Sequence, residues 1–197
     1  MSEHPVSGSP LDLVDFRHHV ADGYAKWRAA GAGEDAWWAW RVQRDELFSL
    51  HSQSPIPATE RERFTGLPFF DYDSSWRLVG HLQALPEEPW GDFVLIGRLW
   101  FDRQGIEMSL NAYWLDAYGG GLFVPFGDAT NGSATYGGGR YLIDSTKGAY
   151  LGREGSGVIM DFNGAYHPSC VHDEQWTCPL APPENRLAIR VEAGERL

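Results

Sequence analysis

The side chains best suited to acid–base chemistry lie between residues 126 and 185. Asp161 and Asn163 are two positions apart at the end of a predicted strand, so both face the same side of it. Such a pair can act as an acid–base group with an orienting amide, but it can equally cap the following turn. Glu184 follows two prolines that hold the backbone extended, and it can serve as a general base or bond backbone groups. Asp161 and Glu184 are therefore the candidate catalytic residues.

Arg140 is the candidate anchor for an acidic ligand. It follows three glycines that allow a tight turn before a strand. A guanidinium there can hold a carboxylate or phosphate with two hydrogen bonds. The alternative is a structural ion pair with Asp128, Asp161 or Glu184 that joins loops. The candidate ligand-binding residues are Asp128, Tyr136, Arg140, Asn163, Tyr166, Asn185, Trp100 and Trp114.

His167, Cys170, His172 and Cys178 place four metal-ligating side chains within twelve positions. Zinc accepts such ligands, but the spacing does not match the usual finger or ribbon patterns, so zinc is the minor alternative and no cofactor is predicted. The two cysteines could instead form a disulfide, or Cys170 could pair with either histidine as a nucleophile. The main expectation is that both thiols are partly buried structural residues.

Aromatic residues could supply the walls of a ligand pocket. Trp100 and Trp114 lie on predicted strands, where rings facing a barrel interior would suit an apolar or aromatic molecule. An aromatic core is the plainer interpretation. Trp37, Trp38 and Trp40 lie within about one helical turn and cannot all face one core. One of them is expected to cover the mouth of the β-structure or to contact a partner, including a second copy of the chain.

Charge and missing motifs narrow the classes of function. The chain has 16 Lys+Arg against 27 Asp+Glu, and its net charge of −11 argues against binding nucleic acid or an anionic membrane surface. It contains no Walker-type loop, no His-Glu-x-x-His, no Cys-x-x-Cys and no Gly-x-Ser-x-Gly motif. Neither a targeting signal nor an apolar stretch of roughly 20 residues is present, so a cytoplasmic protein is expected.

The first part of the chain, which must help to position these residues, is predicted to be helical. Ser9 and Pro10 are typical of a helix start, and apolar residues then recur at helical spacing as far as Gly31. A second helix is expected to begin near Gly33. One face of it carries Trp37, Trp40, Arg44, Leu47 and Phe48. A short third helix is expected at residues 59–64.

After Tyr72 the pattern changes to short strands separated by glycine-rich turns. Six or seven strands are expected, over residues 76–83, 92–101, 106–114, 121–126, 139–143, 157–162 and 187–191. The four residues at 102–105 are typical of a hairpin turn. The strand at 92–101 is apolar on both faces, so it is expected to be covered on both sides.

The predicted fold class is mainly β. It consists of an antiparallel meander, barrel-like or sandwich core preceded by two or three helices. Residues 1–10 are expected to be a flexible N-terminus, 11–72 a helical segment packed on the sheet, and 73–197 the β-rich core of the same domain.

A succession of short motifs closely resembles the DUF1684 family of uncharacterised bacterial and archaeal proteins. The motifs are FGDAT at 126–130, YGGGRYL at 136–142, DFNGAYHP at 161–168 and CPLAPPENRL at 178–187, with WRVQRD at 40–45, SP at 54–55 and FTGL at 64–67 upstream. The resemblance implies no function. The family typically has Asn in place of His167 and a Cys-Ala-Tyr-like run at 170–172, so a role for His167 or His172 would be particular to this chain.

Three functions are compatible with these residues. The preferred one is binding of a small, partly aromatic or apolar molecule with an acidic group, in an aromatic-lined β-barrel or sandwich pocket anchored by Arg140. The second is an enzyme that uses Asp161 and Glu184 for acid–base chemistry in the same pocket. The third is a non-catalytic interaction or dimerisation module that uses the face of Trp37, Trp38 and Trp40. Whether the chain is an enzyme is left open.

Overall fold

The structure, a computed structural model, describes residues 9–197. Two helices, α1 (Pro10–Ala30) and α2 (Glu34–Leu50), precede a seven-stranded antiparallel sheet that curls into a half-barrel. The predicted class, a mainly antiparallel β-structure behind N-terminal helices, is confirmed. Of the predicted flexible tail, only Ser9 and Pro10 lie within the described residues, and they cap and begin α1.

Local signals set both ends of α1. The Ser9 hydroxyl accepts a hydrogen bond from the Asp12 N–H, and the Asp12 carboxylate accepts one from the Ser9 N–H. Pro10 occupies the first turn, where a missing N–H costs no hydrogen bond. Gly31 ends the helix with a φ of +87°, a backbone conformation that residues with a Cβ rarely adopt. These are the start and stop residues that the sequence indicates.

The sheet has the strand order β5-β4-β3-β2-β1-β7-β6, and each neighbouring pair is antiparallel. The strands are β1 (Arg77–Trp90), β2 (Phe93–Arg103), β3 (Ile106–Leu115), β4 (Leu122–Phe126), β5 (Arg140–Asp144), β6 (Arg153–Glu154) and β7 (Gly157–Asp161). β2 and β3 form the predicted hairpin. Their register shifts between Leu95 and Gly97, and a Cβ at Gly97 would lie 2.5 Å from the Gln83 carbonyl oxygen. Such a bulge strengthens the local twist and helps the sheet to curl.

Alternating side chains build an apolar core on each face of the sheet. Ala112 and Val124 belong to the first, which we call the sheet core, whereas their neighbours Tyr113 and Phe123 point the other way into the second, the helix core. The helices add five rings to the helix core, from Tyr24, Trp27, Trp37, Trp40 and Phe48. The helix core is therefore largely aromatic.

β2 contributes to both cores, because Leu99 and Phe101 lie in the sheet core and Phe93 and Leu95 pack against the helix core. Of the residues that alternate with these, Ile96 packs against the sheet core, but Trp100, beyond the bulge, is only half-buried. The expected cover on both sides therefore holds for the first half of the strand.

Three predicted elements differ in the structure. Residues 187–191 do not form a strand of the sheet, although Leu187 and Val191 are buried in the sheet core. The segment contacts the chain after β4 through isolated backbone bonds only, from the Leu187 N–H to the Gly127 carbonyl and from the Ala129 N–H to the Ile189 carbonyl. The expected helix at 59–64 is a single 3-10 turn, Arg61–Arg63. β1 continues seven residues beyond the predicted end at 83, because an irregularity between Ala84 and Glu88 accommodates Pro86 and the pairing with β2 then resumes.

Between residues 9 and 197, neither helix has the length and apolar character needed to cross a membrane.

Candidate functional site

Arg140, the predicted ligand anchor, is completely buried beside the sheet core. Its guanidinium forms an ion pair with Asp128, with 2.9 Å between Nη2 and Oδ2. It also donates to three backbone carbonyls, those of Val191 at 2.8 Å, Glu195 at 3.1 Å and Ala193. The structure therefore contains the structural ion pair with Asp128 that was the alternative to ligand binding.

The ion pair secures an irregular C-terminal segment, residues 191–195. Asp128 also accepts hydrogen bonds from the N–H groups of Thr130 and Val191. Burial lowers the pKa of Arg140, and the Asp128 carboxylate offsets part of that effect. Both terminal nitrogens of the Arg140 guanidinium are bonded inside the protein, whereas Nε is buried without a partner in the described chain. The side chain has no exposed surface through which to meet a ligand.

The predicted acid–base residues lie in different surroundings. Asp161 is buried at the end of β7 and accepts bonds from the N–H and the side-chain amide of Asn163. Burial raises the pKa of Asp161. Asn185 is also buried, and its amide bonds backbone groups of Asn111 and Pro125. Glu184 is exposed. The Asp161–Asn163 pair thus caps the turn that follows, as the alternative interpretation proposed.

Two of the predicted aromatic residues lie away from any interior space. The Trp100 indole donates to the Gln83 side chain at 2.8 Å. Trp114 is 42 % exposed. Tyr136 is half-buried, and its N–H donates to Nε2 of His167 at 3.2 Å.

A cavity lies elsewhere, between the helices and the chain that follows β7. It has a volume of about 260 Å³. Five residues of α1 at helical spacing form one wall: Leu13, Phe16, Arg17, Val20 and Tyr24. The facing wall comes from the segment 166–178, which we call the loop wall, with Tyr141 and Lys147 beside it. Of the predicted ligand-binding residues only Tyr166 lines this cavity, and neither Asp161 nor Glu184 does.

The cavity is lined by basic and aromatic side chains. Its basic residues are Arg17, Arg44 and Lys147. Among the described residues that line it there is no aspartate or glutamate. Arg17 and Lys147 are exposed, so they mark the open end, whereas Arg44 is buried at the inner end. A cavity of this composition favours an anionic group near its mouth.

At the inner end of the cavity, the lining residue Arg44 forms a buried ion pair with Glu195. Arg44 contacts Glu195 through Nη2 at 2.7 Å and Nε at 2.8 Å. The other Glu195 oxygen accepts the His167 N–H at 2.7 Å. Burial alone would raise the pKa of Glu195, but Arg44 and His167 lower it. The pair is held among the rings of Phe48 and Tyr166, 4.4 and 4.9 Å from the guanidinium carbon.

Both histidines of the loop wall are held neutral. Burial lowers the pKa of His167 to about 4, although Glu195 acts in the opposite direction. Burial also lowers the pKa of His172, whose ring lies edge-on to Phe48. Neutral rings at this position add polar atoms to the cavity without adding charge.

The four residues considered for zinc do not form a metal site. No group of three or more His, Cys, Asp or Glu side chains in the described chain is arranged to hold a metal ion. Cys170 and Cys178 are free thiols joined by a side-chain hydrogen bond, and burial raises the pKa of Cys170. His167, His172 and Cys178 instead line the cavity.

The tryptophans of α2 divide as their spacing requires. Trp37 and Trp40 are buried in the helix core, and the Trp37 indole donates to the Asn163 carbonyl at 2.8 Å. Trp38 is 56 % exposed.

Sequence reasoning missed the residues that give the cavity its charge. Arg44 did carry a signal, because it interrupts the apolar face of α2 among Trp37, Trp40 and Phe48. A buried arginine on such a face needs a partner, and Glu195 is 151 positions away in sequence. Arg17 and Lys147 are ordinary exposed cations in the sequence, and only the fold brings them to one opening.

Comparison with known proteins places the chain in a family. A family model described as a protein of unknown function, DUF1684, matches residues 62–196. The chain belongs to the DUF1684 family. Comparison with curated proteins gave no match.

A solved structure of an uncharacterised protein from Haloarcula marismortui, determined by solution NMR, is similar to this DUF1684 protein. It is 35 % identical, with a TM-score of 0.60, and the match covers 81 % of this chain and 91 % of the other. The DUF1684 match begins after both helices and includes the loop wall and Glu195. Arg17 and Arg44 therefore lie outside the matched residues.

Proposed function

We propose that this protein binds a small, partly aromatic or apolar molecule that carries an acidic group. The main support is the cavity of about 260 Å³. Among the described residues that line it, three are basic and none is acidic, although the whole chain has a net charge of −11. Its rings, among them Phe16, Phe48 and Tyr166, offer apolar contact to an aromatic group.

The cavity volume sets the size of the ligand. A dry apolar cavity of about 150 Å³ is enough to hold benzene. The 260 Å³ available here accommodates one ring with a short side group rather than a cofactor or a lipid. The acid-binding role belongs to Arg17 and Lys147 at the mouth, in place of Arg140. Lys147 is 3.5 Å from the Asp144 carboxylate, so Arg17 is the stronger candidate.

Titration calorimetry with phenylacetate, indole-3-acetate and neutral phenylacetamide tests this proposal. We expect the two carboxylates to bind and phenylacetamide to bind at least about tenfold more weakly, because it lacks the charge that the basic mouth recognises. Arg17→Gln should weaken phenylacetate binding by about tenfold. Lys26→Gln is the matched control, since Lys26 is an exposed cation of the same helix that does not line the cavity.

A second pair of variants tests the location. Val20→Phe fills the cavity and should abolish binding, whereas Val14→Phe adds the same ring to a position of α1 that is 64 % exposed and should leave binding unchanged. Failure of all three probes to bind the wild type, or equal binding by Val20→Phe, would overturn the proposal.

A cytoplasmic location is also proposed. It is supported by the two cysteines, which are free although their side chains are in contact. Neighbouring thiols of this kind persist in a reducing compartment.

A further inference from the structure

Three buried polar atoms of the cavity's lining residues have no hydrogen-bond partner in the described chain. They are the Tyr24 hydroxyl, Nε2 of His172 and Nε1 of Trp176. Tyr24 is only 3 % exposed. Buried polar groups in proteins are nearly always hydrogen-bonded, so three such atoms around one cavity call for an explanation from the cavity itself.

We infer that the ligand carries, in addition to its acidic group, a neutral hydroxyl or carbonyl that bonds Tyr24, His172 and Trp176 at the inner end. The ligand class is then a hydroxylated or oxo-substituted aromatic acid of one ring. This inference rests on the proposed function, because it assigns the second polar end of the same ligand.

The dimensions of the cavity agree with such a molecule. Arg17 and Tyr24 lie on the same wall seven residues apart, which corresponds to about 10 Å along a helix. Arg17 is exposed at the mouth, and Tyr24 is buried at the inner end. A phenol ring with a short carboxylate side chain spans a similar length, so its two polar ends can face these two residues at once.

The inner end is suited to a neutral polar group rather than to a second charge. Burial raises the pKa of Tyr24 and lowers the pKa of His172, so both side chains are uncharged at neutral pH. The nearby Arg44 is already paired with Glu195. A hydroxyl can donate to the neutral histidine and accept from the tyrosine or the indole. Small side-chain adjustments of the kind that accompany binding bring these atoms to the ligand.

Titration calorimetry with 4-hydroxyphenylacetate and phenylacetate tests the inference. These probes share the ring and the carboxylate and differ by one hydroxyl. We expect the wild type to bind 4-hydroxyphenylacetate at least tenfold more tightly, because a site built for a hydroxyl leaves its own polar atoms unpaired with the analogue. Tyr24→Phe should remove most of this preference. Tyr118→Phe, at a fully exposed tyrosine, is the control and should keep it.

The melting temperature of the free protein gives a second, independent readout. Since the Tyr24 hydroxyl has no partner, Tyr24→Phe should leave the melting temperature of the ligand-free protein unchanged or raise it. A clear decrease would mean that the hydroxyl already has a partner and would overturn the inference. Equal affinity of the wild type for both acids would overturn the inference alone. Binding of neither acid would overturn the proposed function as well.

Discussion

Two arginines show how one residue type takes different roles according to its partners. Arg140 is surrounded by the Asp128 carboxylate and three carbonyls, so its charge is satisfied within the protein. Arg44 is paired with Glu195 but also faces the cavity. Breaking a buried pair by removing one partner leaves an unpaired buried charge, which typically costs about 3–5 kcal/mol. Both pairs therefore hold residues 191–195 in place.

The pH dependence of stability provides a test at the scale of one residue. The pKa of His167 falls from 6.5 to about 4 on folding because the ring is buried. The unfolded chain therefore binds more protons in this range, and the free energy of unfolding should fall by up to about 3 kcal/mol as pH drops from 6.5 to 4. Urea unfolding at a series of pH values measures this slope.

Substitution of the histidine separates its contribution. His167→Asn should flatten the slope, leaving the part that comes from His172, whose pKa is also lowered. An equal slope in His167→Asn and the wild type would contradict the assignment to His167.

At the scale of elements, Gly139 is the one of the three glycines before β5 whose backbone has a positive φ. Gly139 has a φ of +91°, and a Cβ there would lie 2.5 Å from the Phe126 carbonyl oxygen and 2.7 Å from the Ala181 Cβ. Gly139→Ala should lower the free energy of unfolding by at least about 2 kcal/mol through backbone strain and this collision. Denaturant unfolding measures the loss.

The neighbouring Gly137 supplies a matched control for that substitution. A Cβ at Gly137 meets nothing within 4 Å. Gly137→Ala should therefore be close to neutral. If the two alanine variants were equally stable, the turn would not require the conformation seen at Gly139.

Elements specified by nearby residues were predictable from the sequence, whereas those specified by distant partners were not. The ends of α1 follow from Ser9, Pro10 and Gly31, and the β2–β3 hairpin follows from its turn. Residues 187–191 carry a strand-like alternation, but whether they pair or pass through a core depends on the rest of the fold. The cavity was likewise unpredictable, because α1 and the loop wall meet only in three dimensions.

At the scale of the whole molecule, Trp38 is the one tryptophan of α2 that is exposed to a partner. Its ring is exposed beside Val42, one turn further along, and the Arg41 guanidinium carbon lies 5.0 Å from its centroid. Homodimerisation through this face stays a prediction. If it is correct, Trp38→Ser should shift the sedimentation coefficient from dimer to monomer, because burial of the indole would be lost.

Trp114→Ser is the control for sedimentation, since Trp114 is similarly exposed but lies on β3. It should leave the sedimentation coefficient unchanged. A wild-type protein that sediments as a monomer at every concentration would refute the predicted dimer.

Segment 191–195 has an irregular backbone, yet it is buried and hydrogen-bonded like a regular element of the core. The Val191 N–H donates to Asp128 and the Glu195 N–H to the Ala165 carbonyl, and both residues are almost fully buried. Amide protons held in this way exchange with deuterium only when the surrounding core opens. The slowest exchange in this protein should therefore include amides in a stretch with neither helix nor strand, and protection would follow burial of the partner atoms more closely than secondary structure.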